Sequence, residues 1–154
     1  MIHDVSHGAF SHCLDYVFQS GDQKQQDHQD NIFESFIKKT DIPSILKKYN
    51  IGIEYILDDK NFPLKETNLP DLCADRIDYS LRDASKYKTS DSQNILYILE
   101  HLIVKEGKRI FTDFASAKEY TQLFFHLNEV YYSGRESAIM FQTVADCLKY
   151  AREK

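Results

Sequence analysis

The chain has 154 residues, a formal net charge of −5 and a hydrophobic fraction of 42%, with 13% aromatic residues, which suits one folded domain and excludes wholesale disorder. A mildly acidic surface repels phosphate backbones, so general nucleic-acid binding is not expected, although a locally positive pocket for a small phosphorylated substrate stays open. Cys13, Cys73 and Cys147 are far apart and form no C-x-x-C pair, so free thiols in a reducing cytoplasm are expected rather than a zinc knuckle or redox dithiol.

Met1-Ile2-His3-Asp4 lacks the basic and apolar regions of a signal peptide. No apolar run approaches the ~18 residues of a membrane span, and a cytoplasmic, membrane-free protein is expected. Phe10, Leu14, Val17 and Phe18 recur at helical spacing. The polar stretch Ser20 to Asp27 reads as a loop. Ile32, Phe33, Phe36 and Ile37 again repeat at helical spacing. Asp41-Ile42-Pro43 resembles a capped helix start, with proline where its missing N–H costs little. A break from Asp58 to Asp71 holds Pro63 and Pro70. Asp71 is placed to cap a helix reaching about Lys86. Leu102-Ile103-Val104 and Arg109-Ile110-Phe111 flank Glu106-Gly107 and read as a small β-hairpin, the alternative being a helix end followed by a loop. Phe114, Ala117, Tyr120, Phe124, Leu127 and Tyr131 form one apolar stripe. Phe141, Val144, Ala145, Leu148 and Ala151 form another, with Gly134 as a stop between them. The expected architecture is all-α with a possible hairpin near 102–111. The two polar breaks are read as loops within a single domain spanning 1–154.

Four of the six histidines lie in the first 28 residues: His3, His7, His12 and His28. Asp4 and Asp15 lie among them. Imidazole nitrogen and carboxylate oxygen both bind borderline cations, a neutral imidazole ligates metal, and a protonated one holds phosphate or donates a proton. Singly, each histidine is more often structural or solvated; four with two aspartates in so short a stretch shift that balance, but spacing alone names no reaction. Downstream, Asp75, Tyr79 and Asp83 fall at successive i, i+4 steps while Ile77 and Leu81 lie on another face. A solvated charged helix with an Asp78–Arg82 pair would give the same text.

His3 through His12, HDVSHGAFSH, is similar to the HD-x-G-H-G-P-F-S-H pattern of the HD phosphohydrolase superfamily, and in particular of its deoxynucleotide triphosphohydrolase branch. Asp75 to Asp83, DRIDYSLRD, resembles that branch's D-[KR]-x-D-Y-x-x-R-D helix. The resemblance is clear from His3 to about Asp83. It implies a helical HD domain in which His3, Asp4 and Asp75 hold a divalent metal (manganese, iron, cobalt, nickel, zinc or magnesium). It further implies that His7, His12 and His28 line the phosphate side, contributing charge and a possible general acid, with Asp15 orienting one imidazole. Arg76 would contact phosphate, and Tyr79 and Asp83 the sugar. The implied activity is hydrolysis of a nucleotide, possibly a deoxynucleotide, or a related phosphate ester.

Two departures are small: Ser6 stands for glycine and Ala9 for proline. A third is larger, because the pattern's first metal histidine lies on a helix upstream of the doublet, which here begins at residue 3. The expectation is an incomplete HD domain lacking its first helices. Its hydrolysis would be impaired, and an apolar patch at Phe10, Leu14 and Val17 would be exposed and suited to self-association. The alternative is an inactive HD remnant that binds a nucleotide or a protein.

Overall fold

A computed structural model describes residues 3–154, and the fold is all-α apart from one two-stranded antiparallel sheet. The chain forms two compact units, residues 1–57 with 135–154, and residues 58–134.

The first unit opens with two 3-10 turns, His3–Ser6 and Ser11–Tyr16. Helices α1 (His28–Ile37), α2 (Ile42–Lys48), α3 (Ile53–Leu57) and α7 (Arg135–Arg152) follow. The helical spacing of Phe10, Leu14 and Val17 is thus realised as a 3-10 turn. Phe10 is 51% exposed, and Leu14 and Val17 are half-buried. The buried residues of this unit are unusually polar: Ser6, Asp15 and His28 join Cys13, Ile37 and Ala145. Buried polar groups must be hydrogen-bonded to be tolerated, and these are. Ser6 Oγ donates to the Gln29 carbonyl at 2.8 Å, and the His28 amide donates to Asp15 Oδ1 at 2.8 Å. Helix α7 packs its Phe141 ring against Tyr16, with centroids 6.4 Å apart, and its Arg152 guanidinium lies 5.1 Å from the Phe18 ring centre. At α2, Pro43 occupies the first turn as expected, but Asp41 makes no side-chain cap hydrogen bond.

The second unit contains α4 (Ala74–Lys86), α5 (Ser92–Glu100), β1 (Leu102–Lys105), β2 (Lys108–Phe111) and α6 (Phe114–Leu127), followed by a π-helical turn, Asn128–Tyr132. The hairpin register pairs Leu102 with Phe111 and Lys105 with Lys108. Glu106 and Gly107 connect the strands with φ of 53° and 75°, the two positive values of a type I′ turn. Helix α4 begins at Ala74, later than Asp71 would place it. Cys73 Sγ occupies the cap position and accepts from the Arg76 amide, whereas the Asp71 carboxylate accepts from Lys108 Nζ at 2.9 Å. Asp91 and Asp113 cap α5 and α6 by accepting from the Asn94 and Ser116 amides.

The core of this unit joins Ile77, Leu81 and Ala84 of α4, Ile98 of α5, and Tyr120, Leu123 and Leu127 of α6. Burying Ile98 and Leu127 completely is worth about 1.5–3 kcal/mol each. Ser80 and Tyr120, both buried, satisfy one another at 3.1 Å. Burial pushes the Tyr120 hydroxyl up to about 12, the Ser80 hydrogen bond opposing it. The buried residues of α6 are Ser116, Tyr120, Leu123 and Leu127; Tyr120 and Leu127 belong to the stripe read in the sequence, and Phe124 and Tyr131 of that stripe pack against the same core. Phe114, at the expected start of the stripe, is 83% exposed. No described helix is long and apolar enough to cross a membrane.

Candidate active site

In the first unit the histidine-rich segment folds so that each carboxylate meets two histidines. Asp4 lies between His3 and His7, with Oδ2 3.3 Å from His3 Nε2 and Oδ1 3.6 Å from His7 Nε2. The 3-10 turn makes this possible: its tight repeat puts side chains three apart on one edge. The His7 and His12 rings meet edge to face, with centroids 5.2 Å apart. Burial is the main force lowering the His7 pKa. The nearby His12 lowers it further, and Asp4, Asp30 and Asp15 oppose the change. His7 is therefore a neutral imidazole at neutral pH, offering a lone pair rather than a fixed positive charge.

Asp15 is the organising group. It is buried; its Oδ2 lies 3.2 Å from His12 Nδ1 and its Oδ1 accepts from the His28 amide at 2.8 Å. One carboxylate thus ties the second 3-10 turn to the start of α1. His28 Nδ1 is 2.8 Å from Ser20 Oγ, and the ring stacks on Phe18 at 4.9 Å and 14°. Gly21 makes this packing possible: a Cβ there would lie 2.7 Å from Asp15 Oδ1 and 2.9 Å from His28 Cβ. Asp22, in the loop that leads to α1, has a lowered pKa because the Gln25 and Lys24 amides donate to its carboxylate.

In the second unit, α4 divides its faces by chemistry. At about 100° per residue, Asp75, Tyr79 and Asp83 sweep only about 80° of the helix. All three are half-buried. The core residues Ile77, Ser80, Leu81 and Ala84 occupy the opposite side. Asp78 and Arg82 are exposed and form their own ion pair at 3.0 Å, so the solvated pair and the Asp75–Tyr79–Asp83 face coexist. Arg76 directs Nη1 to the Asp71 carbonyl at 2.7 Å and Nη2 to the Thr67 carbonyl at 3.1 Å, anchoring the preceding loop to α4.

Asp83 has a partner that sequence reading overlooked. The Tyr132 hydroxyl donates to Asp83 Oδ2 at 2.9 Å, and its ring meets Tyr79 edge to face at 5.4 Å. Burial raises the Tyr132 pKa, and the Asp83 carboxylate adds to this. Burial also raises that of Tyr79, with Arg76 opposing. No motif marks Tyr132, which is 49 residues beyond Asp83. The one local signal was the paired Tyr131-Tyr132 before Gly134.

The chain is 42% identical over 121 residues to the uncharacterized protein YdhJ of Bacillus subtilis, covering 78% of this chain and 36% of that protein. It is 32% identical over 99 residues to the metal-dependent phosphohydrolase cns2 of Cordyceps militaris, covering 62% of this chain and 28% of that protein. It is 27% identical over 143 residues to the uncharacterized protein YwfO of Bacillus subtilis, covering 82% of this chain and 32% of that protein. The chain thus spans roughly a third of the length of the curated relatives it matches. No family model matches it, and no solved structure matches it.

Proposed function

We propose that this chain carries the residues of a metal-dependent phosphohydrolase site of the HD type, acting on a nucleotide or related phosphate ester. The observation that carries the reading is the Asp4 carboxylate flanked by the His3 and His7 Nε2 atoms. It lies within a segment that resembles the HD-x-G-H-G-P-F-S-H pattern. The similarity to the Cordyceps militaris phosphohydrolase supports it.

His3, Asp4 and Asp75 would hold a divalent cation, and this mixed imidazole and carboxylate donor set suits manganese, iron, cobalt, nickel or zinc. When bound, such an ion polarises a phosphoryl oxygen and lowers the pKa of a coordinated water. The chain's own groups do the rest. Neutral His7 accepts a proton or a hydrogen bond beside Asp4. Asp15 holds His12 by Nδ1, so that Nε2 is turned toward substrate, as a carboxylate behind an imidazole does. In its doubly protonated form, with Nδ1–H donating to Asp15, His12 has an Nε2–H that can pass a proton to the leaving oxygen, and the ring is left neutral. His28 supports this pair from a packed position. Arg76 has five N–H donors and directs two toward carbonyls, which leaves donors for a phosphate. Tyr79 and Asp83 present a ring and a carboxylate to a sugar, and the resemblance to the deoxynucleotide branch favours a deoxyribose.

Metal content of the purified chain, measured with phosphate release from bis(p-nitrophenyl) phosphate and from deoxynucleoside triphosphates, tests the reading. Stoichiometric metal that Asp4→Ala removes, together with metal-dependent hydrolysis, is the expected result. A chain that takes up no manganese, cobalt, nickel or zinc at millimolar concentration would refute it.

A further inference from the structure

We infer that Tyr132 is a positioning residue that fixes the Asp83 carboxylate to receive a substrate hydroxyl, an inference that rests on the phosphohydrolase reading. The π-helical turn Asn128–Tyr132 interrupts regular helix directly after α6, and π turns recur at functional sites. The two consecutive tyrosines of this turn meet Tyr87, the residue that follows α4, and the Tyr79–Asp83 face of α4. Tyr131 stacks on Tyr87, with centroids 4.1 Å apart and planes within 8°, and this clamps the turn. Tyr132 then places its ring edge to face on Tyr79 and its hydroxyl 2.9 Å from Asp83 Oδ2.

The direction of that hydrogen bond matters. The Tyr132 ring packs against the core that holds Ile77, Leu81 and Ala84, a contact that phenylalanine would make equally well. The Tyr132 hydroxyl instead meets a carboxylate on the Asp75–Tyr79–Asp83 face. An ionised carboxylate only accepts hydrogen bonds. With Oδ2 engaged by the phenol, rotation of the carboxylate is restricted, and Oδ1 is the atom offered to a substrate hydroxyl. The ligand chemistry this suits is a hydroxyl set back from a phosphate, as in a nucleotide sugar. Burial and the neighbouring carboxylate keep the Tyr132 phenol protonated across the physiological range, so the donor is constant.

Titration calorimetry on the full chain, in calcium, with dATP and with inorganic triphosphate as the two probes, tests this. Tyr132→Phe keeps the ring and removes only the hydroxyl. It is expected to weaken dATP about tenfold, the usual scale for a hydrogen bond to a charged group, and to leave inorganic triphosphate within about twofold. Asp83→Ala should weaken dATP at least as much, and adding Tyr132→Phe to it should cost nothing further, the signature of one shared interaction. Tyr132→His retains a ring donor and should fall between wild type and Tyr132→Phe; it decides the matter if Tyr132→Phe does not fold. Unchanged dATP binding in Tyr132→Phe overturns the positioning role and leaves the phosphohydrolase reading intact. Equal weakening of both probes makes Tyr132 merely structural and overturns the inference. Failure of the wild-type chain to bind either probe overturns the inference together with the reading beneath it.

Discussion

Replacing Asp15 by asparagine separates the two roles of the buried carboxylate. Its Oδ1 accepts from the His28 amide at 2.8 Å and its Oδ2 meets His12 Nδ1 at 3.2 Å. Hydrogen bonds to a charged acceptor contribute about 1.5–3 kcal/mol each, and stranding a buried amide costs a further ~1–3 kcal/mol. Asp15→Ala removes both bonds and strands the His28 amide, so a loss of roughly 3–5 kcal/mol is expected. Asp15→Asn retains an oxygen for that amide and should lose only about 1 kcal/mol. It also turns an NH2 group toward His12 Nδ1. The ring must then accept at Nδ1 and carry its proton on Nε2, the reverse of the tautomer that a carboxylate enforces. Losing a carboxylate that orients an imidazole commonly costs about 10–100-fold, and hydrolysis is expected to fall by that much. Urea unfolding gives the stabilities, and long-range proton–nitrogen correlation spectra of the imidazoles report the tautomer whether or not substrate turns over. If Asn and Ala destabilise equally, or His12 keeps the same tautomer in Asp15→Asn, the assignment of Asp15 as the organising group is refuted.

Further expectations concern other parts of the molecule. Asp75→Ala should abolish metal uptake while α4 survives, since alanine favours helix; Asp78→Ala should leave metal uptake intact, because Asp78 pairs with Arg82 in solvent. Equal losses in elemental analysis would mean that the wrong carboxylate has been assigned. Gly21→Ala drives a Cβ to within 2.9 Å of the Asp15 Cα and should cost about 1–3 kcal/mol of stability as an overpacked site, read from the urea midpoint. Leu127→Ala, at a position with no exposure, should cost about 2–5 kcal/mol and lower the thermal midpoint of the second unit. Asp113 is held below its ordinary 3.8 chiefly by the Ser116 amide. The folded carboxylate therefore binds protons less readily than the unfolded one, so its contribution is complete above pH 3.8 and lost as pH falls through the lowered value. Asp113→Asn should flatten the decline in urea midpoint below about pH 4, and an unchanged decline would locate the acid sensitivity elsewhere.

Much of this protein is legible in its chain order. The all-α class, the hairpin with its Glu106-Gly107 turn, the helix ending at Lys86 and the stop at Gly134 all follow from local rules. Turn residues, helical period and capping act within a few positions, and tertiary contacts rarely override them when they agree. The histidine-rich segment and the Asp75–Asp83 helix are legible for the same reason, since the i, i+4 spacing of Asp75, Tyr79 and Asp83 by itself places them on one face. The same local rules misplaced Asp71 as a cap, because Lys108, 37 residues away, takes its carboxylate and Cys73 takes the cap. They also put Phe114 in the buried stripe of α6, whose Tyr120 and Leu127 are buried as expected while Phe114 is exposed. Phe114 is as apolar as any core residue, but burial on α6 is decided by where α4, α5 and β2 lie, and that selects Ser116 and Leu123 instead. Tertiary structure alone brought Asp15 to the His28 amide and Tyr132 to Asp83. Each of these contacts joins a carboxylate to a partner at least 13 residues away, and no periodicity in the sequence encodes such a distance. The chain can specify these pairs only through packing, because a buried carboxylate must find a donor.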